Sequence, residues 1–157
     1  MNLCDIVQKE AIITRLESAE RDDVVKELID ALIGAHAAKA SLRDELVEAV
    51  LERERRGSTG FGRGVAVPHV KHDSVKDITA AIGLSAGGVD FNALDKQPVS
   101  SIILLLSPAG KPEEHLQAME VIFKSLSDEM FRRFLRQATT VDEVMTLLQE
   151  RDAQKLT

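Results

Sequence analysis

The chain has no tyrosine, no tryptophan and a single cysteine, Cys4, among its 157 residues. One cysteine excludes an internal disulfide. A lone thiol near a terminus also lacks metal-ligand spacing, so Cys4 reads as a structural or incidental thiol. Five phenylalanines are the only aromatic carbocycles, too few to build the stacking platforms of single-strand nucleic-acid binders. The formal net charge of −6 points the same way, because a lysine and arginine face supplies most of the affinity for a phosphate backbone. No nucleic-acid partner is expected. Long apolar runs are missing too: the longest aliphatic stretch is Ile102 to Leu106, far short of the roughly 20 residues of a membrane-spanning helix. Direct membrane insertion is not expected. Met1 to Glu10 carries Asp5, Lys9 and Glu10 in place of the basic start and apolar block of a signal peptide, which leads to a cytoplasmic location.

What remains is ordinary globular usage, 44% hydrophobic and 29% charged. No linker rich in Pro, Gly or Ser divides the chain, so residues 1–157 read as one domain. Ala11 to Leu16 is an expected strand, and Arg21 to His36 repeats apolar residues at helical spacing. Gly34 suits the end of that helix, and His36 reads as a helix-terminal residue. Ser41, followed by Asp44 and Glu45, resembles the cap of a second helix running to about Glu54. Gly57 to Gly64 holds four glycines in eight residues and must be a loop. Val65-Ala66-Val67 is a short strand that leads into Pro68-His69. Ile78 to Ser85 and Ser100 to Leu106 read as strands, the second apolar on both faces and so interior. Gly87-Gly88 and Asp95-Lys96-Gln97-Pro98 supply turn chemistry between them. From Pro112 the period is helical to Leu126, then again around Phe131 to Leu135. Thr140-Val-Asp-Glu143 makes a capping box for the last helix. The expected architecture is α/β: a three-layer α/β/α sandwich with a mixed sheet of about four to five strands and about five helices.

Of the four histidines, His36, His69, His72 and His115, His69 stands out. It follows a proline and lies just beyond the glycine loop, where backbone N–H groups approach an anion closely. Ser58 and Thr59 add hydroxyls to such a cradle and Gly60 adds backbone access, making these three the candidate phosphoryl-binding loop. The loop does not end in Gly-Lys-Ser/Thr and its glycines do not follow G-x-G-x-x-G, which argues against a nucleotide. His69, His72 and Asp73 offer metal-donor chemistry without an identifiable further ligand, so no metal is assigned. His72 reads as a solvated loop residue.

The run Arg53-Glu-Arg-Arg-Gly-Ser-Thr-Gly-Phe-Gly-Arg-Gly-Val-Ala-Val-Pro-His69 closely resembles the active-site signature of the fructose, mannitol and nitrogen-type enzyme IIA family. The resemblance continues through Val89 to Asp95, Pro98-Val99, Leu104 to Leu106 and Glu114-His115-Leu116. It implies that His69 accepts a phosphoryl group from the histidine phosphocarrier protein and passes it to a cysteine of an enzyme IIB partner. It also implies that Arg53 and His115 belong to the same site, 16 residues before and 46 after His69. In these roles Arg53 stabilises charge on the phosphoryl oxygens, and His115, in the first turn of the helix after Pro112, donates a ring N–H. No organic cofactor is required. Nitrogen-type members are regulators, and the Arg-Glu-Arg-x-Gly-Ser-Thr-Gly run resembles theirs more than the mannitol version. The alternative expectation is therefore a module whose phosphorylation state at His69 controls binding to other proteins. A third expectation, a non-catalytic relative similar in fold to the cytoplasmic domains of anion transporters, is opposed by the presence of Arg53, His69 and His115 together. Arg55 and Arg63 read as docking residues or solvated charges.

Overall fold

The computed structural model describes residues 1–154. In chain order the elements are α1 (Leu3–Ile6), β1 (Val7–Ile13), α2 (Arg21–Gly34), α3 (Arg43–Arg56), β2 (Val65–Ala66), β3 (His69–His72), β4 (Thr79–Val89), β5 (Val99–Pro108), α4 (Pro112–Leu126), α5 (Glu129–Gln137) and α6 (Val141–Gln154), with a 3-10 turn at Ala40–Leu42. The sheet runs β1-β4-β5-β2, with β3 also on β5. β4 and β5 are antiparallel, whereas β1 on β4 and both β2 and β3 on β5 are parallel. The expected mixed sheet with helices on both faces is what the chain forms.

β5 organises the two layers. Ile102, Leu104 and Leu106 pack into a core with α2 and α3, while Ile103 and Leu105 pack into a second core with α4, α5 and α6. This is the period-two alternation of a strand covered on both faces. Pro68 accounts for the split between β2 and β3. It has no N–H to give to the ladder, yet its carbonyl accepts from Leu105 N–H at 2.9 Å, and its position on an outer strand tolerates the missing donor.

Several boundaries differ from the sequence reading. β1 occupies Val7–Ile13 rather than Ala11–Leu16. Its middle carries exposed Lys9 and Glu10, which an outer strand accepts, so the apolar count pointed too far along the chain. α2 ends at Gly34, but the left-handed residue that turns the chain is His36, with φ of 60°, and Ala37 N–H closes back onto Leu32 O at 2.9 Å. Ser41 lies inside the 3-10 turn and caps nothing, so α3 begins at Arg43 and continues to Arg56. Gly87-Gly88 lies within β4, not in a turn: Gly88 has φ of 82° at a register shift between Leu84 and Val89, a bulge that the strand absorbs. The Thr140 box is half present. Thr140 Oγ1 accepts from Glu143 N–H at 3.1 Å, but the Glu143 carboxylate accepts from Thr139, one residue upstream of the cap.

The two ends of the chain are joined by a buried carboxylate. Asp152 on α6 accepts from the Leu3 and Cys4 N–H groups at 2.7 and 2.9 Å, holding the first turn of α1 against the last turns of α6. Burial and the neighbouring Asp152 push the Cys4 thiol up to about 11, which suits a packing role. Replacing Asp152 by alanine strands the buried Leu3 N–H and the partly buried Cys4 N–H and is expected to cost about 2–3 kcal/mol of stability. Urea unfolding measures this, and an unchanged midpoint would contradict the closure.

Candidate functional site

The sheet register decides which side chains meet. His69 pairs with Leu105 on the parallel neighbour β5, and paired residues point to the same face. Leu105 belongs to the α4–α6 layer, so His69 and Ser107, two residues beyond Leu105, both face that layer. Eight residues after Ser107, His115 enters the same layer in the first turn of α4. The rings of His69 and His115 are 5.6 Å apart between centroids. Arg53 comes from the opposite layer: it sits in the last turn of α3, which packs on β3 at the open edge of the sheet. Arg53 Nη1 donates to Gly57 O at 3.0 Å, which holds the side chain over the loop start.

These three residues line one open cavity of about 490 Å³, together with Ala49, Glu52, Arg56, Val70, Lys71 and Leu116. Its charged lining is Arg53, Arg56 and Lys71 against Glu52 alone, and Glu52 is paired with Arg56 at 3.0 Å. A chain of net charge −6 thus presents a locally positive cavity, the balance that an anion requires.

The imidazole of His69 has a defined tautomer. Its Nδ1 lies 2.7 Å from Val67 O. A carbonyl only accepts, so Nδ1 carries the proton and Nε2 keeps the lone pair. Burial pulls the His69 pKa below the ordinary histidine value; the bond to Val67 opposes this, and the cations Arg53 and Lys71 reinforce it. Near neutrality the ring is therefore an uncharged base with Nε2 available. His115 is 6% exposed, and burial, then the nearby His69 and Lys71, push its pKa down to about 4. Its Nδ1 lies 2.7 Å from Ser107 Oγ.

Behind His69 stands a support that the sequence reading did not identify. Glu54, only 2% exposed, accepts from Thr59 N–H at 3.0 Å and from the Thr59 hydroxyl. Thr59 O accepts from Val67 N–H at 3.4 Å, and Val67 O accepts from His69 Nδ1. A carboxylate on α3 thereby helps to hold Val67, the residue whose carbonyl orients the histidine. The signal was present: Glu54 continues the buried stripe Val47, Val50, Leu51 of α3, and a carboxylate at an apolar-stripe position beside a loop rich in N–H donors is a loop clamp. Lys71 had no comparable signal.

The proposed cradle of Ser58, Thr59 and Gly60 does not reach the cavity. Ser58 Oγ donates to Phe91 O at 3.2 Å and accepts from Gly60 N–H at 3.0 Å, while Thr59 is engaged by Glu54. Gly60 packs against Ala93, where a Cβ would lie 2.9 Å from the Ala93 side chain, and its carbonyl accepts from Leu94 N–H. The glycines let this loop dock on segment 90–95, which is why they are dense there. His72 is not a solvated loop residue. It closes β3, its Nδ1 accepts from Ser74 N–H at 3.1 Å, and its Nε2 is 3.7 Å from Glu45. No cluster of three or more metal-donor residues occurs among the described residues, and no helix there is long and apolar enough to cross a membrane. Arg55 is paired with Glu48 at 2.9 Å.

Comparison with known proteins places this geometry. Residues 5–151 match the family described as "Phosphoenolpyruvate-dependent sugar phosphotransferase system, EIIA 2". A fructose-specific EIIA component of Haloferax volcanii is 35% identical over 84% of this chain and 84% of its own length. The fructose-specific EIIABC component of Bacillus subtilis is 32% identical over 97% of this chain, which spans 24% of that longer protein. The crystal structure of the nitrogen regulatory protein IIA-Ntr from Neisseria meningitidis superposes with a TM-score of 0.82 at 30% identity, over 92% of this chain and 97% of that one. With the family matched over nearly all of its length, the chain belongs to the EIIA type 2 family of the phosphoenolpyruvate-dependent sugar phosphotransferase system.

Proposed function

We propose that this chain is a phosphoryl carrier in which His69 Nε2 accepts a phosphoryl group from the phosphorylated histidine phosphocarrier protein and delivers it to a cysteine of an enzyme IIB partner. The observation that carries the reading is the Nδ1 to Val67 O bond of 2.7 Å, which leaves Nε2 as the free nitrogen of a ring lining a positive cavity. In the first transfer the donor's P–N bond breaks, its imidazole leaves neutral, and a bond forms from Nε2 to phosphorus. The His69 ring gains positive charge as this happens, and Val67 O accepts from it more strongly. Arg53 meets the charge spread over the equatorial oxygens, and His115 offers a ring proton to one of them. In the second transfer the Nε2–P bond breaks and an S–P bond forms to the partner thiolate, returning His69 to its neutral state. Leu116 is 67% exposed at the edge of the cavity, an apolar contact suited to a transient protein partner.

A second reading is favoured by the Arg53 to Gly60 run and by the similarity to IIA-Ntr: phosphorylation at His69 changes the affinity of this cavity face for a regulated protein. Affinity capture with phosphorylated and unphosphorylated chain separates the two, since only the regulatory role requires a partner whose binding depends on the phosphoryl group. The reading also keeps the chain in the cytoplasm, where both protein partners act.

Incubation with phosphoenolpyruvate and the general phosphotransferase proteins, followed by intact-mass analysis, is expected to add one acid-labile phosphoryl group to the wild type and none to His69→Ala. No addition to either would leave a non-catalytic binding domain. Arg53→Gln is expected to slow the transfer roughly ten- to a hundredfold, the loss of one charge-assisted contact. By NMR titration, His69 is expected to protonate below about 6.5, the free-histidine value, and the Arg53→Gln midpoint to rise because a cation that disfavours the imidazolium has gone. A wild-type midpoint at or above the free value would contradict the account of the nucleophile.

A further inference from the structure

His115 serves the proposed transfer only if a proton sits on the ring nitrogen that faces the phosphoryl group. Burial keeps the ring neutral, so it holds one proton for two nitrogens, and something must assign it. Nδ1 lies 2.7 Å from Ser107 Oγ. The Ser107 side chain is fully buried, and among the described residues its hydroxyl has no partner except this nitrogen.

Two arrangements satisfy the distance. If Nδ1–H donated to Ser107 Oγ, the hydroxyl proton would be buried without an acceptor, and Nε2 would turn a lone pair toward an anion. If the Ser107 hydroxyl donates to Nδ1, every donor on the pair has an acceptor or faces the cavity, and the remaining proton lies on Nε2. Buried polar groups are rarely left unpaired, and this selects the second arrangement.

We propose that Ser107 is a positioning residue: its buried hydroxyl holds His115 in the Nε2–H form, so that the ring presents a proton to a phosphoryl group on His69. The strand makes this inevitable once the register is set. Residues 103, 105 and 107 of β5 share the face toward α4, and a hydroxyl at the last of these meets the first turn of that helix. The two histidines then carry opposite tautomers for opposite tasks. His69 has its proton on Nδ1, held by a carbonyl, and a free Nε2 for bonding to phosphorus. His115 has its lone pair on Nδ1, held by a hydroxyl, and a proton on Nε2 for donation to oxygen.

The proposal rests on the carrier reading for its purpose but not for its measurement. Nitrogen-15 NMR of the histidine side chains assigns the tautomer of His115 in unphosphorylated protein. The wild type is expected to show a protonated Nε2 and a bare Nδ1. Ser107→Ala, which deletes one oxygen and leaves the strand ladder intact, is expected to shift His115 toward a mixture of tautomers while His69 stays on Nδ1–H. The variant should also accept the phosphoryl group about tenfold more slowly, the factor that one hydrogen bond to a charged group supplies. Protonated Nδ1 on wild-type His115 would overturn the proposal, as would an unchanged tautomer and rate in Ser107→Ala. A wild type that takes no phosphoryl group would overturn the carrier reading separately, with the tautomer result still telling which nitrogen bears the proton.

Discussion

The hydrogen bond from His69 Nδ1–H to the Val67 carbonyl constrains everything else in the site. Nothing in a histidine decides which nitrogen is free, and a ring able to flip or exchange its proton presents a nucleophile for only part of the time. Here the choice is made by a main-chain carbonyl two residues earlier, which cannot change its own role. That carbonyl is aimed by the peptide before Pro68. The N–H of the same residue, Val67, is tied through Thr59 to Glu54 on α3, so a buried carboxylate behind the loop supports the orientation of the His69 ring. This explains a charged residue in the core of a helix that is otherwise apolar on its inner face.

The sheet supplies the remaining geometry. By placing β3 beside β5 in parallel, it sends His69 into the layer that contains α4. Because β3 is an outer strand, α3 brings Arg53 to the same opening from the other layer. A site fed from both layers at an open sheet edge is accessible to a large partner, unlike a cleft in the middle of the sheet. The local field is set against the overall charge. Three cations surround the opening and one carboxylate is already paired, so the cavity favours an anion in a protein that is otherwise acidic. Burial of both rings, with Arg53 and Lys71 acting on His69 and with His69 and Lys71 acting on His115, disfavours the charged imidazoles, reconciling a positive cavity with neutral rings.

The fold class was legible because β4 and β5 are long, apolar and flanked by helices of clear period. Arg53, His69 and His115 were legible as a constellation only through the family signature, since spacings of 16 and 46 residues carry no geometry of their own. What escaped was decided by tertiary pairing. His69–His72 forms a strand because β5 offers it a ladder, not because its residues favour one. β1 begins four residues early because an outer strand tolerates Lys9 and Glu10. The glycine loop misled in an instructive way: its glycines and hydroxyls have the composition of an anion cradle, yet segment 90–95 and Glu54 take up those groups. Composition cannot distinguish a loop that approaches a ligand from one that approaches its own chain.

The most direct test of the account is the identity of the ring nitrogen that carries phosphorus. With the protein labelled with nitrogen-15 in histidine and phosphorylated, phosphorus–nitrogen correlation by NMR should place the group on Nε2 of His69, with Nδ1 still protonated and hydrogen-bonded. Phosphorus on Nδ1 would mean that the Val67 carbonyl does not hold the ring, and the argument built on that bond would fall with it.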